Sequence, residues 1–221
     1  NLYDHRVSVA AGYLDNSTRR RDNLTILDEC FVEGLEFDGD RATGVRVRRH
    51  GEASSIDAGE VIVSAGVMHS PTLLMRAGIG PGEHLQAMGI DVRADRRGVG
   101  ANLQDHPMCG IGIHIRPEGR LDPIVHNSFQ CIARYSSGRD GCAPQDMKVS
   151  LSNRFSWSRL GQQLATLQFG PYKIYSRGHV QLASPNPDAE PIVLFNLLSD
   201  ERDLLRMLDA ARFSYDLLMT P

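Results

Sequence analysis

The sequence lacks a strong excess of charge of either sign, and it lacks long hydrophobic runs. Its 221 residues carry 24 Lys and Arg against 27 Asp and Glu, a formal net charge of −3. This balance does not suggest a nucleic-acid partner, because phosphate binding favours a strongly basic surface. The longest apolar runs, such as Val61 to Val63 and Leu73 to Met75, are far shorter than the roughly 18 residues of a membrane span. We therefore expect a globular protein with no transmembrane helix.

Cysteine is also scarce. The four cysteines include no Cys-x-x-Cys pair and do not reach the density of a secreted disulfide scaffold; they are Cys30, Cys109, Cys131 and Cys142. The first residues contain no apolar core of a signal peptide. These features argue against zinc binding and dithiol chemistry, and they favour the reducing cytoplasm.

Two further site classes are not supported by residue spacing. None of the eight histidines forms an i,i+4 pair on a predicted helix, and no Cys or carboxylate pattern completes a tetrahedral metal site. No Gly-x-Ser-x-Gly elbow of a hydrolase is present. We expect no metal. The chain also begins without Met and ends at Pro221 without a polar tail, so we interpret it as part of a longer protein.

The first half contains strand patterns. Leu24 to Leu27 and Val61 to Val63 are apolar runs typical of buried strands. Between them, alternating residues from Phe31 to Val47 flank Asp38-Gly39, a hairpin turn signal that predicts an antiparallel ribbon.

Small residues and helix signals follow the second run. Ser64, Ala65 and Gly66 would permit close approach of a ligand at a strand end. Ser70 as N-cap and Pro71 at the first position predict a short helix over Thr72 to Ala77, ended by Gly78. A second helix is predicted from Pro81 to Met88, ended by Gly89.

The second half predicts an antiparallel sheet and a long helix. Its strand-like segments are 110–116, 128–135, 147–151, 164–169 and 178–183. Ser199 is the predicted N-cap of a final helix. Its apolar stripe is expected to pack on the sheet, and consists of Leu204, Leu208, Ala211, Tyr215 and Leu218. The sequence thus predicts an α+β protein.

Several segments resemble one known family. The stretch from Gly66 to Pro81 is similar to the second signature of the glucose-methanol-choline (GMC) flavin oxidoreductases, in a choline dehydrogenase-like form. Gly98 to Pro107 resembles the loop that follows this signature. Residues 23–27, 37–45 and 176–182 also resemble family segments. The resemblance implies a partial FAD-binding domain over residues 1–107 and an antiparallel substrate-binding domain with flanking helices over 108–221.

The resemblance further implies an FAD-dependent enzyme that passes hydride from an alcohol to the flavin. The family's Gly-x-Gly-x-x-Gly fingerprint is absent from these residues, and its catalytic histidine would lie beyond Pro221. No catalytic residue is therefore assigned to this chain, and FAD is expected in the whole protein but not in the isolated chain. A small-molecule alcohol is the expected partner; the oligomeric state is not indicated.

Four positions are implied to bind the cofactor. Val32 matches a position whose backbone faces the adenine, and Ser64, Ala65 and Gly66 match the strand end beside the adenosine half of FAD. Without the resemblance, Val32 would be interpreted as a core residue and Gly66 as a turn. The loop containing Asn102, Gln104, Asp105 and His106 receives no chemical role and is interpreted as a link between the two domains.

Other interpretations stay open. Two roles stay open for the aromatic residues Phe155 and Trp157: contact with the substrate or an entry lid, or anchoring of a long loop. Three functions stay open for the protein that carries this chain: an alcohol oxidoreductase, a flavin-containing hydroxynitrile lyase on the same scaffold, or a non-catalytic module that kept the substrate-domain fold.

Overall fold

The computed structural model describes residues 7–122 and 129–220, which form two compact units. The hairpin unit comprises Arg21–Leu103 and Arg177–Phe195. The sheet unit comprises the other described ranges, 7–20, 104–122, 129–176 and 196–220.

The segment Arg177–Phe195 joins the hairpin unit, whereas the predicted division at residues 107 and 108 assigned it to the second domain. Backbone pairing is the physical reason. The N–H of Leu103 donates to the carbonyl of Gly178 at 3.0 Å, and the N–H of Gly178 donates back at 2.8 Å. The N–H of Val180 donates to the carbonyl of Gly100 at 2.7 Å.

A three-stranded antiparallel sheet is the largest sheet of the hairpin unit. Its strands are β1 (Cys30–Asp38), β2 (Arg41–Arg49) and β3 (Glu52–Asp57). Gly39, in the turn between β1 and β2, has a positive φ of 54°, which glycine adopts at little cost. The predicted ribbon is therefore confirmed.

The two apolar runs flanking this sheet are not strands, so the predicted buried strands at Leu24 to Leu27 and Val61 to Val63 are wrong for this structure. Leu27 is 42% exposed and Ile62 is 80% exposed. A buried strand needs neighbouring strands on its edges and packing on its faces, and the described residues provide neither for these runs.

The helices of the hairpin unit are α2 (Gly66–Arg76) and α3 (Gly82–Ala87); α1 (Val9–Tyr13) lies in the sheet unit. Ala65 is the N-cap of α2, so the predicted start at Ser70 is wrong and Pro71 lies inside the helix. Gly78 and Gly89 have φ values of 82° and 71°, as expected of glycines that follow helix ends.

Short strands complete the hairpin unit. The parallel pair is β4 (Ile79–Gly80) with β5 (Ala94–Asp95), and the antiparallel pair is β10 (His179–Gln181) with β11 (Ile192–Leu194). Met75, Leu85 and Leu182 form a cluster of buried core side chains in this unit.

The sheet unit contains a four-stranded antiparallel sheet. Its strands are β6 (Cys109–His114), β7 (Phe129–Tyr135), β8 (Met147–Ser152) and β9 (Leu164–Pro171). They are ordered β6-β9-β8-β7 across the sheet. Short 3-10 turns occur at Thr18–Arg20, Pro117–Gly119 and Gly161–Gln163. The α+β class is confirmed, and four of the five predicted strands form this antiparallel sheet. The fifth segment, 178–183, instead contains β10, which pairs with β11 in the hairpin unit. Ser128, the predicted start of one strand, lies outside the described residues.

The long helix α4 (Glu201–Met219) packs on this sheet. Ala211 of the predicted stripe contacts the core, but the other four stripe residues are exposed. Leu204, Leu208 and Tyr215 are 41%, 46% and 59% exposed. The buried positions of the helix are instead Asp203, Arg206, Met207, Ala210 and Ser214. The predicted N-cap is also wrong by one residue, because the Asp200 carboxylate accepts the N–H of Arg202 at 3.0 Å.

A network of charged side chains allows this face of the helix to be buried. Arg206 donates from Nη1 to Oδ2 of Asp146 at 2.9 Å and from Nη2 to the carbonyl of Lys173 at 2.7 Å, and it also pairs with Asp203. Asp203 in turn accepts the hydroxyl of Ser176 at 2.6 Å. The cation and both carboxylates are fully buried and satisfied by partners, which is the condition for burying charge.

Candidate functional site

A pocket of about 260 Å³ lies between β1 and α2 within the hairpin unit. It is lined by Cys30, Phe31, Val32, Ala65, His69, Leu73 and Arg76. The structure therefore brings together two of the four predicted cofactor positions, Val32 and Ala65. Ser64 and Gly66 flank Ala65 along the chain and are exposed.

The backbone on both sides of this pocket is irregular. The pairing of β1 with β2 shifts register between Val32 and Gly34, and such a bulge locally interrupts the hydrogen bonds of a sheet. Gly66 opens α2 with a positive φ of 86°. A Cβ at Gly66 would meet no atom within 4 Å, so its backbone conformation, not crowding, favours glycine here.

Arg76 supplies the unsatisfied polar group of the pocket. Its Nε is buried and has no hydrogen-bond partner among the described residues. Burial lowers the pKa of the Arg76 guanidinium below its ordinary value, and arginine side chains nevertheless stay charged in proteins. A buried donor without a partner is uncommon in proteins, so Arg76 is suited to donate to a ligand in this pocket.

A second cavity, of about 410 Å³, lies on the four-stranded sheet of the sheet unit. Its lining residues are Met108, Cys109, Gly110, Gly112, Phe155, Leu164, Ala165, Thr166 and Gln168. The residues Gly110 and Gly112 of β6 stand opposite Gln168 and Thr166 of β9. The sequence interpretation missed this pair of glycines, although a Gly-Ile-Gly-Ile pattern on a predicted strand already puts both glycines on one face.

The structure separates the two aromatic residues of the long loop. The N–H of Phe155 donates to the carbonyls of Gly161 and Leu164 at 3.0 and 2.9 Å, and its side chain lines the second cavity. Trp157 instead packs under Arg154, whose guanidinium carbon lies 4.1 Å from the ring centroid. The lid interpretation therefore fits Phe155, and the anchor interpretation fits Trp157.

Close approach of the chain fixes this loop. A Cβ at Gly161 would lie 2.0 Å from Oγ of Ser156 and 2.8 Å from its backbone nitrogen. The N–H of Gly161 donates to Oγ of Ser158 at 3.0 Å. Glycine is thus needed at this position for the loop to fold back over the start of β9.

The loop with no assigned role is held by backbone contacts. Nε2 of Gln104 donates to the carbonyl of Ile174 at 2.7 Å, and Nε2 of His106 lies 2.9 Å from the carbonyl of Tyr172. The His106 ring also stacks on the Tyr172 ring with centroids 4.8 Å apart. Asp105 accepts the N–H of His106, and Asn102 has a φ of 59°. These contacts indicate a structural role.

The described ranges contain no group of side chains suited to a metal ion. No cluster of three or more His, Cys, Asp and Glu side chains with that geometry occurs in them. Among the same residues, no helix combines the length and the apolar character that crossing a bilayer requires.

Comparison with known proteins identifies the family. A family model described as GMC oxidoreductase matches residues 2–108. The chain is 39% identical over 207 residues to 5-(hydroxymethyl)furfural oxidase of Methylovorus sp. (strain MP688), an alignment covering 92% of this chain and 38% of that protein. It is 30% identical over 237 residues to oxygen-dependent choline dehydrogenase of Staphylococcus haemolyticus (strain JCSC1435), covering 96% and 42%.

A solved structure agrees with these matches. Pyridoxine 4-oxidase from Mesorbium loti superposes with a TM-score of 0.83 at 27% sequence identity, covering 96% of this chain and 43% of that one. The chain belongs to the GMC oxidoreductase family. It spans about two fifths of the length of the curated relatives that it matches.

Proposed function

We propose that the protein carrying this chain is an FAD-dependent oxidoreductase acting on a CH–OH donor. Family membership supports an FAD-dependent oxidoreductase. The relatives named for 5-(hydroxymethyl)furfural and for choline support an alcohol as donor, because both of those compounds carry a hydroxyl group. Bound FAD supplies the hydride acceptor: the donor loses hydride to it and a proton to a base, which leaves a carbonyl compound.

The observation that carries this proposal is the pocket containing Val32 and Ala65. Its apolar walls, Phe31, Val32 and Leu73, suit the flat adenine ring of FAD. The bulge beside Val32 interrupts the ladder there, which favours contact between its backbone and a ligand. The buried Nε–H of Arg76 would donate to an acceptor atom on the adenosine half. The residues present therefore fit this part of the cofactor.

The cysteines support a reducing compartment for the protein, and we propose the cytoplasm. All four lie within the described ranges and stand as free thiols. Disulfides form and persist in oxidising compartments and are rare in the cytosol.

Filling the pocket is expected to expel the cofactor. In the full-length protein, Ala65→Phe places a ring where the adenine would bind, and we expect the bound flavin per protein to fall at least about tenfold, equivalent to about 1.4 kcal/mol of binding free energy. The ratio of flavin to protein absorbance after gel filtration measures this.

A matched control is Ala53→Phe, which adds the same ring on exposed strand β3 and should leave the flavin content unchanged. Wild-type flavin content in Ala65→Phe, with an unchanged melting temperature, would contradict the assignment of this pocket.

A further inference from the structure

The cavity of the sheet unit contains two glycines that the backbone does not require. Gly110 and Gly112 do not have a positive φ. A Cβ at Gly112 would meet no atom within 4 Å, and a Cβ at Gly110 would make ordinary contacts at 3.7 Å. Glycine in a strand interior is destabilising relative to alanine. The two glycines therefore weaken β6 and leave this part of the sheet without side chains.

A strand face without side chains leaves room for a flat ligand. Glycine inside a strand often marks a place where a ligand or another backbone approaches closely. The walls around the two glycines are apolar and include Met108, Phe155 and Leu164. The cavity volume of about 410 Å³ lies within the usual range for small-molecule sites, roughly 300–1,000 Å³.

Two polar side chains stand on the same face. Thr166 and Gln168 of β9 line the cavity and stand opposite Gly112 and Gly110 of β6. Both are partly exposed. They are therefore placed to bind the polar substituents of a ligand.

The cavity is poorly suited to a cation. No charged side chain lines it among the residues that the structure describes, and Phe155 is the one aromatic residue of that lining. A desolvated ammonium group needs a carboxylate or several aromatic faces. The lining therefore favours an uncharged ligand.

We propose that this cavity binds a flat, uncharged ring bearing the CH–OH group, with the ring over Gly110 and Gly112 and its polar substituents hydrogen-bonded by Thr166 and Gln168. The inference rests on the proposed function and adds the class of donor. That class is a neutral aromatic or heteroaromatic alcohol and not a quaternary-ammonium alcohol.

The first test compares substrates in the full-length holoprotein. We expect kcat/KM for benzyl alcohol to exceed that for choline at least about tenfold. Gly112→Leu fills the space above the strand and should lower kcat/KM for benzyl alcohol at least about tenfold. Gly59→Leu is the control, because a Cβ at Gly59 also meets no atom within 4 Å and this residue lies outside the cavity.

The second test measures binding without turnover. Calorimetry is expected to show binding of benzamide and not of phenyltrimethylammonium, a cation of similar size. Gly112→Ala should weaken benzamide binding while the melting temperature stays the same or rises, a combination that a purely structural glycine would not give. Thr166→Val, which keeps the side-chain volume, should weaken benzamide binding as well.

Two results would overturn the proposal: tighter binding of the cation than of benzamide, or benzamide binding that is unaffected by Gly112→Ala, Gly112→Leu and Thr166→Val. If benzamide binds as expected but no alcohol reduces the flavin, the proposed function fails and the cavity assignment stands.

Discussion

Replacing Arg206 by methionine is expected to destabilise the protein by about 3–5 kcal/mol, the usual cost of removing one partner from a buried ion pair. Methionine keeps much of the side-chain length but leaves Asp146 and Asp203, both fully buried, without their cation. The shift of the urea unfolding midpoint, followed by circular dichroism, measures the change.

Arg212 provides a matched control on the same helix. Its side chain is 78% exposed, and its Nη1 lies 3.9 Å from Oδ1 of Asp209. Arg212→Met should change the free energy of unfolding by less than about 0.5 kcal/mol. Equal stability of the two variants would show that the buried network does not hold α4 on the sheet.

The same network predicts how stability depends on pH. Burial of Asp146 raises its pKa, but hydrogen bonds from the backbone and hydroxyl of Ser137 and from Arg206 outweigh burial, so the pKa lies below its ordinary value of 3.8. A lowered folded-state pKa gives stability that is present above the unfolded value and is lost as the pH falls through the folded value. The contribution of Asp146 should therefore stay constant above about pH 5 and decline below pH 3.8.

The isolated 221-residue chain is expected to lose FAD during gel filtration and to oxidise no alcohol. No Gly-x-Gly-x-x-Gly run occurs in it, so the backbone N–H groups that hold the pyrophosphate in such motifs are missing. Two lost hydrogen bonds to a charged group, at about 1.5–3 kcal/mol each, correspond to a loss of affinity of about 100-fold or more.

The comparison requires the full-length protein, purified and assayed in the same way with a panel of alcohols and an artificial electron acceptor. A yellow chain that keeps its flavin would contradict the prediction on binding. Turnover by the isolated chain would mean that it contains an unrecognised base. His106 and His179 would be the first residues to replace.

Local patterns predicted the elements that depend on local interactions. The hairpin follows from alternating residues on either side of Asp38-Gly39, and the strands of the sheet unit follow from short alternating runs. The strand predicted at Val61 to Val63 does not form, because a buried strand needs neighbouring strands and Ile62 pairs with none among the described residues.

The orientation of α4 was not predictable from its own sequence. The apolar residues Leu204 and Leu208 indicated one inward face, which does not include Arg206. Arg206 is buried because Asp146, 60 positions earlier in the chain, accepts its hydrogen bond. No periodicity within the helix contains this information.

The two candidate sites also differ in how far the sequence predicted them. Family resemblance, not residue spacing, pointed to Val32 and Ala65, and the structure places both in one pocket. Gly110 and Gly112 are visible in the sequence as two glycines at alternate strand positions. Their interpretation depends on the open space above β6, which only the structure shows.

The most direct test of the central claim, oxidation of an alcohol by bound FAD, is anaerobic titration of the full-length holoprotein with benzyl alcohol while the flavin absorbance is followed. We predict that the oxidised flavin band bleaches, with one equivalent of aldehyde formed per flavin. A flavin that stays oxidised at saturating alcohol while the protein cleaves a cyanohydrin would contradict the claim and identify a hydroxynitrile lyase. A full-length protein that holds no flavin would contradict it in favour of a non-catalytic module.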